Sequence, residues 1–253
     1  NRLTPFLTAI FANSPIVQGA DSGYRSFRGR IWQNTDPHRA GLPQAFVSTK
    51  FALPDYIEWA LDVAPYHLYR DGRIVTFGDK TFRQLLQNQQ DFEVTPEDWM
   101  LHLGMLFPDV RIKRIMEVRC IDTQLPRDVM AVPALLQALV YNEDAIQRLE
   151  SWIMDLPEEA FAQYRLAAAK DGLQAEVGNV RCDHAAIRIF ENSRAHMDAS
   201  TQLHWLEPFF ERYTKRGQCP ADQILSRFHQ ASSLADWLEI ELQNSSFTAL
   251  KDA

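Results

Sequence analysis

The sequence predicts an α+β fold, with a sheet-containing first half and a mainly helical second half. Three observations predict it. Residues 66–77 read as a β-hairpin, because aromatic and β-branched residues flank Asp71-Gly72, a pair that tolerates positive φ. Arg111 to Ile121 (RIKRIMEVRCI) alternates polar and apolar residues and reads as one strand. After residue 126 apolar residues recur at three- and four-residue spacing, as helices packed on a core require.

The remaining elements follow from local signals. Pro54 to Ala64 carries an apolar face of Tyr56, Trp59, Ala60 and Val63. Thr95-Pro96-Glu97-Asp98 opens a helix, with Thr as N-cap, Pro in the first turn and acids beside the helix N-terminus. Trp99, Leu103 and Leu106 continue its buried stripe. Val129 to Tyr141 is nearly all apolar and reads as a buried helix, followed by an amphipathic one from Glu143 to Ile153. Glu158 to Ala175, Asp183 to Ala195, Gln202 to Lys215 and Ala221 to Leu242 complete the helical half, with Gly217 and Pro220 separating the last two.

Composition excludes several functions. The 253 residues hold 26 Lys and Arg against 33 Asp and Glu, a net charge of −7. No surplus of cations is present to neutralise a phosphate backbone, so nucleic acid is not an expected partner. No apolar run reaches the ~18 residues that cross a bilayer, and Asn1 to Ile10 lacks the basic-then-apolar pattern of a signal peptide. Cys120, Cys182 and Cys219 are too few and scattered for a disulfide framework, which points to a reduced, cytoplasmic protein. No P-loop, G-x-S-x-G or G-x-G-x-x-G is present, and the seven histidines show no metal-ligand spacing. The chain starts at Asn1 rather than Met, so residues upstream of it are expected.

Two clusters carry chemistry. Along the 111–121 strand, Arg111, Lys113, Glu117 and Arg119 fall on one face, with Arg114 among the residues on the other. Three cations beside one carboxylate suit a polyphosphate and its Mg²⁺, since Arg and Lys neutralise phosphate oxygens and Glu is a hard oxygen ligand. The same alternation fits a solvated sheet face. The second cluster, Arg25-Ser26-Phe27-Arg28-Gly29-Arg30-Ile31-Trp32, could hold a carboxylate over an aromatic wall, or be a basic surface stretch with one core Trp. Both pairs of readings stand at this level.

Several words of the chain resemble glutamate–cysteine ligases of the plant and proteobacterial type. They are FANSP (Phe11 to Pro15), S-x-R-x-x-I-W (Ser26 to Trp32), T-D-x-x-R-x-G (Thr35 to Gly41), YxxxALD (Tyr56 to Asp62), TFR (Thr81 to Arg83), HLxxxFPxVRxKRxxExR (His102 to Arg119) and PALLxALxY (Pro133 to Tyr141). They run in family order over about the first 155 residues. Lys113, Arg114, Glu117, Arg119 and Asp122 also echo the K-R-I-E-x-R-x-x-D strand of glutamine synthetase.

The resemblance implies a glutamine synthetase-like antiparallel sheet portion, with residues 1–155 as the C-terminal part of a catalytic domain and 156–253 as a helical region packed on it. It implies ATP-dependent joining of the glutamate γ-carboxylate to cysteine through a γ-glutamyl phosphate, the first step of glutathione synthesis. It implies Arg28 and Trp32 on glutamate, Glu117 on Mg²⁺, and Arg119 on an ATP phosphate, with Arg111, Lys113 and Arg114 as further phosphate contacts. Arg119 and Glu117 are then the catalytic pair. The family's upstream half supplies more acidic metal ligands, so little activity is expected of residues 1–253 alone, and an upstream segment or a second copy is the expected partner. Two alternatives stand beside this: a ligase with another amine acceptor, and a non-catalytic regulatory remnant.

Overall fold

A computed structural model describes residues 1–88, 90, 92–197 and 202–245. The first half contains α1 (Thr4–Ile10), β1 (Ile16–Val17), β2 (Ala20–Asp21), α2 (Phe27–Gln33), β3 (Ala40–Gly41), α3 (Leu53–Leu61), β4 (Leu68–Arg70), β5 (Arg73–Val75), α4 (Phe82–Gln87), α5 (Pro96–Gly104), β6 (Phe107–Pro108), β7 (Val110–Ile112) and β8 (Met116–Val118). The second contains α6 (Ala131–Val140), α7 (Glu143–Ile153), α8 (Phe161–Asp171), β9 (Glu176–Val177), β10 (Val180–Arg181), α9 (Cys182–Arg194), α10 (Gln202–Arg212), α11 (Pro220–Gln230) and α12 (Leu234–Ser245). This is the expected α+β composition. Among the described residues, however, the strands pair only two by two, four pairs antiparallel and β3–β6 parallel, rather than forming one antiparallel sheet.

Two compact units result. The first is Asn1–Arg2 with Trp32–Arg119, and the second is Leu3–Ile31 with Cys120–Ala253. The 155/156 boundary drawn from the sequence lies inside the second unit.

The first unit is built on aromatic packing. Phe46, Tyr56, Ala60, Val63, Leu103 and Leu106 form its buried core, with Trp59, Trp99 and Met100 against it. The β4–β5 hairpin turns at Asp71 (φ 48°) and Gly72 (φ 73°), the paired positive φ that a two-residue hairpin loop needs. Thr95 caps α5 reciprocally with Asp98, whose buried carboxylate also receives both terminal nitrogens of Arg70. The expected 111–121 strand is instead the β7–β8 hairpin, bent at Lys113-Arg114-Ile115.

The second unit is helical. All seven residues of α1 are buried, Thr4 and Thr8 included, and it packs on α8 and α9. Phe6 lies against Trp152 and Tyr164, and Phe11 against Phe209. Gly217 adopts the left-handed conformation and Pro220 opens α11, as expected. The expected 221–242 helix breaks in two because Ala231 is extended and Ser233 accepts the Asp236 N–H, starting α12 afresh.

His102 couples the first unit's stability to pH. Its ring is fully buried, stacked on Phe82, with Nε2 2.8 Å from the Ala60 carbonyl and Nδ1 unpartnered among the described residues. Burial dominates and, with the Arg39 charge, lowers its pKa to about 4 despite the Ala60 hydrogen bond. The unfolded chain therefore takes up the proton first, and His102's share of stability, present above pH 6.5, is lost as pH falls toward about 4. The loss is on the order of 3 kcal/mol. His102→Gln, which keeps a donor for Ala60 but cannot titrate, should flatten the decline of the urea midpoint over that range; an unchanged slope would place the sensitivity elsewhere.

Candidate functional site

In the first unit the β7–β8 register sets Arg111 directly opposite Glu117. Arg111 donates from Nε (2.9 Å) and Nη2 (2.6 Å) to Glu117 Oε2, and from Nη1 to the Gly104 and Leu106 carbonyls. Arg119 Nη1 donates to Glu117 Oε1 at 2.9 Å. Partial burial works to raise the Glu117 carboxyl, but the hydrogen bonds and charges of the two arginines outweigh it and hold it below the usual glutamate range. The Arg119 guanidinium lies 5.3 Å from the Trp32 ring centre and 5.5 Å from that of Phe107, and the two rings are 5.7 Å apart. Glu117 and the rings thus hold Arg119 in place while, among the described residues, it spends only Nη1.

The bend between the strands exposes Lys113 and Arg114 over a groove of about 470 Å³ that Met100, Leu101, Gly104 and Glu117 also line. Lys113 Nζ lies over Gly104, 3.4 Å from where a Cβ would stand. Neither Lys113 nor Arg114 is held by an acidic partner among the described residues. The expected phosphate residues therefore divide in two. Lys113 and Arg114 are open to a ligand, whereas Arg111 is consumed by Glu117 and two carbonyls.

The metal expectation fits these residues poorly. Glu117 is one carboxylate, with both oxygens engaged by guanidinium groups that also repel a cation. Among the described residues no group of three or more His, Cys, Asp or Glu could hold a metal. Mg²⁺ usually takes one or two carboxylates together with substrate phosphates and water, and these residues do not form such a site by themselves.

In the second unit, Arg28 lies in the first turn of α2, beside a network that the sequence did not disclose. Asp122, 4% exposed, accepts from the Asn13 N–H and the Ser14 hydroxyl on Oδ2 and from the Ser26 hydroxyl on Oδ1, each at 2.8 Å. The Ser14 hydroxyl in turn accepts the Arg28 N–H (3.1 Å), and that of Ser26 accepts the Gly29 N–H (3.0 Å). Burial raises the Asp122 carboxyl, against the pull of these donors and of the Arg28 charge. Asn13, Ser14 and Ser26 lie in family words, and Asp122 ends the glutamine synthetase echo, so those words were the available signal. Trp32, the other expected glutamate residue, belongs to the first unit, half-buried against Phe107.

The three cysteines are buried and form no disulfide among the described residues, and burial pushes the Cys182 thiol up to about 12 and Cys219 well above the usual range. Cys182 and Cys219 are therefore poor nucleophiles.

Carboxylate-held arginines and open cations along a groove give this α+β chain a surface whose chemistry suits an anion. Comparison with known proteins names the family. The model of the glutamate-cysteine ligase family 2 (GCS2) matches residues 1–239, and the chain belongs to that family. The chloroplastic glutamate–cysteine ligase of Brassica juncea is 31% identical over 233 residues, covering 90% of this chain and 45% of the relative. Those of Arabidopsis thaliana (29%; 90% and 44%) and of Oryza sativa subsp. indica (ligase A, 35%; 68% and 36%) are also similar. The chain spans less than half the length of these relatives. Their chloroplastic descriptions differ from the cytoplasmic location expected of this chain. No helix among the described residues is long and apolar enough to cross a membrane.

Glu117→Gln removes the charge that two arginines share while keeping the side chain's shape. The carboxylate is partly exposed, so the expected loss is modest, about 1–2 kcal/mol of folding stability. In an Arg111→Met background the same substitution should cost less, because part of the interaction is already gone. Equal costs in both backgrounds, read from urea midpoints, would show that Arg111 and Glu117 are not coupled.

Proposed function

We propose that this chain belongs to an ATP-dependent glutamate–cysteine ligase and supplies part of its glutamate and phosphate sites. The observation that carries this reading is the pairing of open cations, Lys113 and Arg114, with an arginine held ready by Glu117 and two aromatic rings. Such preorganised cations suit phosphoryl transfer, where catalysis is mostly positioning and stabilisation of charge. Family membership and the names of the relatives support the substrates.

In this reading Arg28 pairs with a carboxylate of glutamate. Lys113 and Arg114 contact ATP phosphates, and Arg119 stabilises the transferred phosphoryl group. The γ-carboxylate attacks the terminal phosphate, giving γ-glutamyl phosphate and ADP. The cysteine amine then displaces phosphate and loses a proton, leaving the amide. Mg²⁺ would enter with the nucleotide, with Glu117 as at most one ligand, and would neutralise phosphate charge. Arg111 acts by holding Glu117 rather than by touching phosphate. The strand residues that echo glutamine synthetase, Lys113, Arg114, Glu117, Arg119 and Asp122, fit a common ancestry of the phosphate site. The buried thiols, in no disulfide among the described residues, suit a reducing compartment, whether cytoplasm or the chloroplast named for the relatives.

Two measurements on the protein expressed from its whole reading frame test this. Arg28→Ala should raise the glutamate KM roughly 30- to 1,000-fold, the worth of a charge-assisted bidentate pair. Arg28→Lys should be nearly as harmful, since Lys cannot fork. Lys113→Ala with Arg114→Ala should raise the ATP KM by about 10-fold or more and leave the cysteine KM unchanged. An unchanged ATP KM would remove the nucleotide from this groove. Phosphate release that did not depend on cysteine would point to another amine acceptor.

A further inference from the structure

We propose that Asp122 is a positioning residue for Arg28, acting through the hydroxyls of Ser14 and Ser26. The inference rests on the reading of Arg28 as a glutamate contact. The first turn of α2 holds its amides out to these groups in order. The Phe27 N–H goes to the Ser14 carbonyl (3.2 Å), that of Arg28 to the Ser14 hydroxyl, and that of Gly29 to the Ser26 hydroxyl. Each hydroxyl that accepts an amide spends its one proton on the Asp122 carboxylate. A serine with a free proton could rotate; one whose proton is held by a buried carboxylate cannot, so it presents its lone pair to the helix in one direction. The carboxylate is fixed in its turn by the Asn13 N–H, and Asn13 by its side-chain bond to the Thr123 carbonyl (2.8 Å).

The other side of the turn is equally constrained. The Arg25 and Ser26 N–H groups donate to the Lys170 and Ala169 carbonyls at the end of α8. At Gly29 a Cβ would stand 3.0 Å from the Ala169 Cβ and 3.1 Å from the Ser26 hydroxyl. The backbone of Arg28 is therefore clamped between a helix end and a carboxylate. A guanidinium that must meet a substrate carboxylate in a two-pronged geometry needs such a base, because small displacements cost bidentate contacts heavily.

The test uses the whole-reading-frame enzyme and compares KM values for glutamate, ATP and cysteine in Asp122→Asn, Ser14→Ala, Arg28→Ala and the Arg28→Ala/Asp122→Asn double variant. Asp122→Asn and Ser14→Ala should each raise the glutamate KM by about 10-fold or more, with the other two KM values within about two-fold. In the Arg28→Ala background, Asp122→Asn should add less than about two-fold, because its effect passes through Arg28. A glutamate KM unchanged in Asp122→Asn and Ser14→Ala while Arg28→Ala raises it would overturn the positioning role, as would a full effect of Asp122→Asn without Arg28. No effect of Arg28→Ala would instead overturn the glutamate reading itself. If Asp122→Asn fails to fold, Ser14→Ala decides alone, since it removes one hydroxyl and leaves the carboxylate in place.

Discussion

A carboxylate taken out of water must be met by hydrogen-bond donors or it destabilises the fold by several kcal/mol. Asp122 imposes that requirement on the second unit, and it is met by three donors from segments 96 to 109 residues away in the chain. The loop after α1, the start of α2 and the residues after β8 are consequently held at one point. Two of the donors are hydroxyls, which can also accept, and both use that capacity on the amides that open α2. One buried charge thereby orders three segments and fixes where Arg28 begins.

The first unit solves the complementary problem, that of holding a cation still. Arg111 and Arg119 share the two oxygens of Glu117, and the faces of Trp32 and Phe107 confine Arg119 further. Arginine suits this arrangement because its planar, weakly hydrated group can stack on a ring and donate from its edge together. Glu117 is then better described as the brace of an arginine pair than as an open metal ligand. The cations left for a ligand are Lys113 and Arg114 on the bend, where no strand partner claims them, and the rest of the Arg119 guanidinium.

Much of the local structure was legible from short-range signals. Asp71-Gly72 marked a hairpin, Thr95 with Asp98 marked a helix start, and Gly217 with Pro220 marked a helix break; each works through neighbouring backbone groups alone. The strand from Arg111 to Ile121 was misread for an instructive reason. Its bend contains no Gly, Pro or Asn, and it holds three residues, an odd number. Side-chain parity is therefore kept across the turn, and Arg111, Glu117 and Arg119 share a face whether the stretch is one strand or two. The grouping of charges survived the error, while their pairing did not: Arg111 and Glu117, well separated along a single strand, became partners across two. The single helix read over 221–242 failed similarly, since its apolar period runs on through the short break that Ser233 and Asp236 create.

The sequence by itself determined the α+β character, the position of most helices, the residues able to handle anions and the family words that contain them. Those properties follow from local periodicity and from side-chain chemistry. Only the tertiary structure decided which charges are spent and which are available. Arg111 and Lys113 read alike in the sequence, yet one is buried in hydrogen bonds and the other stands over a groove. Asp122 was one acid among 33 Asp and Glu until folding removed its water and brought Asn13, Ser14 and Ser26 to replace it. The physical reason is that desolvation, unlike helix or strand periodicity, is set by residues distant in the chain, so the strongest polar interactions are the least visible in local pattern.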